Sequence, residues 1–242
     1  MYEGVECVAL RTIKYDDRRA IVTAWSRQMG RVSFIVPWGG GREAARRRAL
    51  MMPMSLFAGE ASVRPGQELM SIRDVRPLKV LTGLSADPAK ALVALLLSEV
   101  TERVLRDMPP DEALTEFVFN AVERLDAARS ARAVASFAHV FLYKLSHFVG
   151  IAPDMSGWRR GRCFDMSDGI FRDTLPGHTH YLEPVAARGL WLLSRLDFDN
   201  IERLGLPRLM RREMLDRILE YYTLHHTRLT DLKALEVAQE VF

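Results

Sequence analysis

The chain has 242 residues, 48% hydrophobic and 27% charged, which suits one large or two modest domains with their own cores and excludes a disordered chain. Cys7 and Cys163 lie too far apart in sequence to suggest a disulfide framework or a four-thiolate zinc site. No stretch nears the roughly 18 apolar residues of a membrane span, and the start "MYEGVECVALRTIKYDDRR" lacks the order of a signal peptide, so a soluble cytoplasmic protein is expected. The net charge of +3 hides a division: residues 1–80 hold 14 Lys+Arg against 8 Asp+Glu, net +6, and the remainder holds 20 against 23, net −3.

A locally basic first third fits a polyanionic partner, because arginine and lysine displace the counterions condensed on a nucleic-acid backbone; it also fits a solvated surface. In chain order, Val5–Thr12 and Ala20–Trp25 read as two strands joined by the polar turn "KYDDRR", and "RVSFIVPW" as a third that stops at Pro37 and three glycines. "MSLFAGEASV" and "QELMSIRDV" form a further pair about a turn at Pro65 and Gly66. Five short strands within residues 1–80 predict an antiparallel barrel of the oligonucleotide-binding kind.

Beyond residue 81 the period becomes helical, so the chain reads as α+β, with a helical domain over residues 81–242. Asp87 caps a helix at Pro88 whose stripe is Leu92, Leu96, Val100 and Val104, widened by Leu95 and Leu97. A second helix buries Leu114, Phe117, Val118, Ala121, Val122 and Leu125. A third buries Val134, Phe137, Phe141, Leu145 and Phe148 and ends at Gly150. Residues 151–183 form an irregular insert, with one small hairpin of "RCFDM" and "GIFRD" across "SDG". Amphipathic helices resume after Pro184, the last of them "TDLKALEVAQEVF", capped by Thr230 or Asp231. No repeat or low-complexity linker is found.

The stretch "FIVPWGGGREAARRRALMM" carries the most distinctive chemistry. It has neither the ending of a phosphate loop nor the spacing of a dinucleotide fingerprint. As a flexible basic loop, its Arg42, Arg46, Arg47 and Arg48 suit phosphates not held in one geometry. Trp25, Phe34 and Trp38 are candidate stacking platforms, Phe34 being more at home inside the barrel and Trp38 the most exposed. Cys163, His178 and His180, with Asp165 or Asp168, offer a loose mixed-ligand metal set, hence a metal-dependent hydrolase as a rival reading; an RNA-binding barrel is another. Of the adjacent His225 and His226, one should be packed and one solvated.

The order of these motifs resembles a known family. "GVECVALRTIKYDDRRAIVTAWSRQMGRVSFIVPWGGG" is similar to the amino-terminal domain of the bacterial recombination mediators called RecO. "RILEYYTLHHTRLTDLKALEVAQEVF" resembles their terminal helices, with Ala234 where serine is common, and "FDMSDGIFRD" with "PGHTHYLEP" resembles the Bacteroides-like branch. The resemblance implies a non-enzymatic DNA-repair protein without cofactor or membrane attachment, cytoplasmic and nucleoid-associated. It implies binding to single- and double-stranded DNA, strand annealing, and partnership with RecR, with the tail of the single-strand binding protein and, indirectly, with RecA. Many family members hold zinc through four cysteines in the middle insert; here Cys163 alone stands there, so the insert is expected to be held by packing through Phe164, Phe171 and Tyr181. Lys14, Arg18, Arg19, Arg31, Arg42, Arg46, Arg47 and Arg48, with Trp38, form the expected nucleic-acid surface. Arg124, Arg129, Arg132 and Lys144, near Phe137 and Phe141, form the expected surface for a partner's acidic tail.

Overall fold

In the computed structural model, which describes residues 1–64, 69–235 and 237, the basic third of the chain winds into five strands. These are β1 (Tyr2–Lys14), β2 (Arg19–Ser26), β3 (Gly30–Pro37), β4 (Leu56–Ser62) and β5 (Leu69–Pro77). They close in the order β1-β2-β3-β5-β4, antiparallel throughout except for the parallel pair of β3 with β5. Period-two alternation sends Val5, Cys7 and Ala9, then Ala20, Val22 and Ala24, then Val32, Phe34 and Val36 to the interior, where Phe34 meets Phe57 edge-on at 6.4 Å. This is the oligonucleotide-binding arrangement that the strand count suggested. The turn expected at Pro65 and Gly66 lies outside the described residues.

The supposed loop after β3 is mostly helix. Gly41, at φ +96, turns the chain into α1 (Arg42–Leu50), a conformation that an L side chain rarely adopts. Helix α1 is followed by Met51, which enters the barrel core and whose carbonyl accepts the Thr12 hydroxyl at 3.0 Å. Only Trp38 to Gly41 remain outside regular structure between β3 and α1.

Three helices share a compact unit with the barrel, which runs from Met1 to Ala127: α2 (Thr82–Ala86), α3 (Pro88–Val104) and α4 (Glu112–Ala127). Asp87 caps α3 as expected, accepting from the Ala89 N–H at 2.9 Å. The stripe is turned slightly from the sequence reading: Val93 and Ala94 join Leu96, Leu97, Val100 and Val104 inside, Leu92 is half-buried and Leu95 is exposed. In α4, Phe119 is buried and Phe117 only half so. A one-sided helix against a curved partner buries neighbours of the ideal stripe, and periodicity alone does not fix that rotation. The approach of α2 to α4 leaves no room at Gly83, where a Cβ would stand 2.1 Å from the Asp126 carbonyl oxygen. Buried Lys90 donates to that same oxygen at 2.6 Å.

The second compact unit begins at Ala128. Its described helices are α5 (Ala131–Phe148), α6 (Pro184–Leu193) and α7 (Arg208–His225), with a 3-10 turn at Ile201–Leu204. Ser130 caps α5 through the Ala133 N–H, and Gly150, at φ +75, follows its end. Phe148, placed on the buried stripe by its spacing, is partly exposed there. Two polar links join α5 to α7: the Tyr222 hydroxyl donates to the Leu142 carbonyl at 2.7 Å, and His139 Nε2 meets the Arg211 carbonyl at 2.7 Å. A carbonyl only accepts, so Nε2 carries the proton, and burial holds the imidazole pKa down at about 4.

The insert contains the expected hairpin, β6 (Cys163–Asp165) with β7 (Ile170–Arg172), and a third short strand, β8 (Tyr181–Leu182), on the other side of β6. Phe164 and Phe171 pack at 5.0 Å, while Tyr181 is only half-buried. Burial alone would raise the Asp165 carboxyl, but the Arg172 guanidinium and the N–H groups of Asp168 and Ser167 hold it below its usual range. His225 is half-buried, with Nε2 at 2.6 Å from the Met166 carbonyl, and His226 is exposed. The terminal helix expected from Thr230 or Asp231 is seen at Lys233–Leu235; most of its remainder lies outside the described residues.

Candidate nucleic-acid interface

Strand register decides which basic residues meet. Arg19 pairs with Pro37 across β2 and β3, and the Trp38 N–H donates to the Arg18 carbonyl at 2.6 Å. The β1–β2 turn and the start of the glycine segment therefore share one end of the barrel, and Lys14, Arg18, Arg19, Trp38 and α1 gather there. Lys14 and Arg19 each bind an aspartate of the turn, Asp17 at 2.7 Å and Asp16 at 2.6 Å; Lys14, Asp17 and Arg19 are exposed and Asp16 is half-buried. The Arg19 guanidinium, then the Arg18 N–H, hold the Asp16 carboxyl below its ordinary range. Arg18, Arg42 and Arg46 are exposed with no acidic partner among the described residues.

Helix α1 divides its own arginines by direction. Arg47 reaches the Pro37 carbonyl at 3.2 Å and Glu43 at 3.1 Å, and Arg48 reaches the Gly39 carbonyl at 2.9 Å. These two brace the glycine segment against the helix, whereas Arg42 and Arg46 face solvent. Beside them, between α1 and β5, runs a groove of about 380 Å³ with Leu50, Ile72 and Val75 along it, Arg46, Arg47 and Arg73 as its cations, and Glu43 and Asp74 as its acids. Trp38 is half-buried and packs against the barrel core, so one part of the indole anchors it and another meets solvent.

Two expected contacts belong elsewhere. Arg31 pairs with Trp25 in register, six residues and roughly 20 Å along β3 from Pro37, and its guanidinium binds the buried carboxylate of Glu102 on α3 at 2.9 Å. Trp25 is fully buried, its indole N–H donating to the Thr115 hydroxyl of α4 at 2.9 Å. Phe34 fills the barrel, as its alternation required. One cation went unnoticed: Arg73, bonded to Glu60 at 2.6 Å, lies 3.8 Å over the Tyr2 ring on the groove side. Its partners are 13 and 71 residues away, and no short-range pattern announces them.

The expected acidic-tail residues are divided between the compact units, since Arg124 lies on α4 and the other three lie beyond Ala128. Arg129 and Arg132 are exposed about the start of α5 and Lys144 is half-buried farther along it. Burial first, and then the positive charges of Arg208 and Arg132, hold the Arg211 guanidinium below its usual range, so a cationic cluster joins the starts of α5 and α7. The rival metal set is not assembled. Cys163 is buried with its thiol against the Thr174 carbonyl at 3.1 Å, His180 binds Glu220 at 2.6 Å, and His178 lies 3.4 Å from Asp165. Among the described residues no three His, Cys, Asp or Glu side chains form a metal-binding group, and no helix is long and apolar enough to cross a membrane.

Comparison with known proteins places both parts of the chain in one family. The family described as "Recombination protein O N terminal" matches residues 1–81, and "Recombination protein O C terminal" matches residues 85–236. Curated relatives called "DNA repair protein RecO" include those of Bacteroides fragilis, 31% identical over 236 residues, and Phocaeicola vulgatus, 31% identical over 235. The relative in Porphyromonas gingivalis is 28% identical over 239 residues; each alignment covers 97% of this chain and 97% of the relative.

Proposed function

This chain belongs to the RecO family of DNA repair proteins, and from that premise we propose that it is a non-enzymatic recombination mediator that binds DNA through the open end of its barrel. Exposed Arg18, Arg42 and Arg46 take backbone phosphates there, and Trp38 offers an aromatic face to an unpaired base. Lys14 and Arg19 join them by exchanging carboxylate partners for phosphate, which is favoured when counterions are released. The observation that carries the reading is the convergence of the β1–β2 turn, Trp38 and α1 at one end, with their charges outward. Holding two strands against one cationic surface lowers their mutual repulsion, and this supplies the annealing step without bond chemistry.

The same reading gives the cluster of Arg132, Arg208 and Arg211, with exposed Arg129 just before α5, to the acidic carboxy-terminal tail of the single-strand binding protein. RecR is the partner with which it helps RecA replace that protein on the strand. The test is fluorescence anisotropy of a labelled single strand at several salt concentrations with the Arg42→Glu/Arg46→Glu variant. Loss of two phosphate contacts flattens the slope of log affinity against log salt by about 1.4. A folded variant with the wild-type affinity and slope would refute the assignment. Competition between matched DNA and RNA strands tests the polymer, DNA being expected to win.

A further inference from the structure

The second unit bears aromatic and basic side chains that neither the barrel interface nor the tail cluster uses. Trp158 lies in the segment before β6 and Trp191 lies on α6; both are half-buried, and their rings stack at 4.0 Å with 11° between planes. The Arg195 guanidinium stands 5.3 Å from the Trp191 ring centre. Spacings of three and four place Arg188, Trp191 and Arg195 along one helical stripe, and the αR backbone of Ser194 carries that stripe past the last turn. Arg159 and Arg160, both exposed, directly follow Trp158.

Charge makes this grouping informative. Residues 81–242 carry 20 basic against 23 acidic side chains, yet Arg195 lies beside the Trp191 ring, and exposed Arg159, Arg160 and Arg188 lie within three residues of one or other tryptophan. Asp173, just after β7, is held by both Nε and Nη2 of Arg162, at 2.7 and 2.6 Å, and attracts Arg159 more weakly. Arg162 Nη1 also donates to the Gly157 carbonyl at 2.8 Å, so the backbone that presents Trp158 is braced from beneath. A stack built only to close a core would sit deeper and would not need cations along its rim.

We infer that the Trp158–Trp191 stack is a second contact for single-stranded DNA: one unpaired base extends the stack, and Arg159, Arg160, Arg188 and Arg195 hold the phosphates on either side. The inference rests on DNA being the ligand of this protein, as proposed above. A braced aromatic platform with flanking guanidiniums binds bases of any identity, as annealing along arbitrary sequence requires.

Photo-cross-linking of the full chain to an oligothymidine bearing iodouracil, with mapping by mass spectrometry, tests it alongside anisotropy titrations of Trp158→Ala and Arg159→Glu/Arg160→Glu. Cross-links at Trp158 or Trp191 are expected, with affinity reduced on the order of tenfold by Trp158→Ala. The exposed charge reversal, which leaves the stack in place, should flatten the salt slope by about 1.4. Cross-links confined to the barrel, with wild-type affinity and slope in the charge reversal, would overturn this inference and leave the barrel assignment standing. Cross-links at the tryptophans, with Arg42→Glu/Arg46→Glu unaffected, would do the reverse. Absence of any binding by the wild type would remove both.

Discussion

The two ends of the barrel carry the same kinds of side chain in opposite circumstances. At one end Trp25 is sealed, its indole bonded to Thr115, Arg31 is bound to Glu102, and Arg27 is bound to Glu6 and Glu116. At the other, Trp38 is half-covered and Arg18, Arg42 and Arg46 stand in solvent. An arginine and a tryptophan near a strand end therefore say little by themselves. What separates a structural end from a binding end is whether the fold has already supplied the partner, a carboxylate for the cation and a hydroxyl for the indole.

The largest effect that would sharpen this contrast is on stability. Trp25→Ala removes a buried ring and the N–H that the Thr115 hydroxyl accepts, and should cost about 3–5 kcal/mol in denaturant titration, whereas Trp38→Ala should cost far less. A similar loss from both would erase the distinction. Acid extends the comparison to the sealed interior of the second unit. His139 stays neutral in the fold down to about pH 4, while the unfolded ring protonates near 6.5. Protons thus favour the unfolded chain: stability is complete above about pH 6.5 and falls as the pH drops toward 4, by at most about 3 kcal/mol. In thermal melts of the folded variant, His139→Leu should flatten that dependence.

Next in size, Glu102→Leu leaves the half-buried Arg31 guanidinium without its carboxylate and should cost about 1–3 kcal/mol, with DNA affinity unchanged. A rise in affinity, as expected if the freed guanidinium reached DNA, would return Arg31 to the interface. Trp38→Ala should weaken single-strand binding by about fivefold or more, read by anisotropy. The smallest effect belongs to the exposed pair: Asp17→Asn should move stability by less than about 0.5 kcal/mol and slightly raise DNA affinity, because it frees Lys14.

Much of this architecture was legible because it rests on short-range pattern. Alternation placed Phe34 inside, Asp87 and Pro88 marked the start of α3, and "SDG" marked the insert hairpin. Arg31 and Arg47 have partners that the sequence did not reveal, for a common reason. The partners that occupy them, Glu102 on another helix and the Pro37 carbonyl behind a turn, come together only in the closed fold. The glycine run suggested mobility, but "REAARRRAL" has the propensity of a helix once Gly41 has turned the chain. The Trp158–Trp191 stack joins residues 33 apart in sequence, across strands too short to announce themselves.

The parallel pairing of β3 with β5 also sets an order of assembly. Until Leu69–Pro77 has been synthesised, β1 to β4 can form only an open sheet whose outer strands, β3 and β4, each present a row of unpaired backbone groups. Docking of β5 covers both edges in one step, so a nascent or truncated chain that stops short of Leu69 should be the form most prone to self-association.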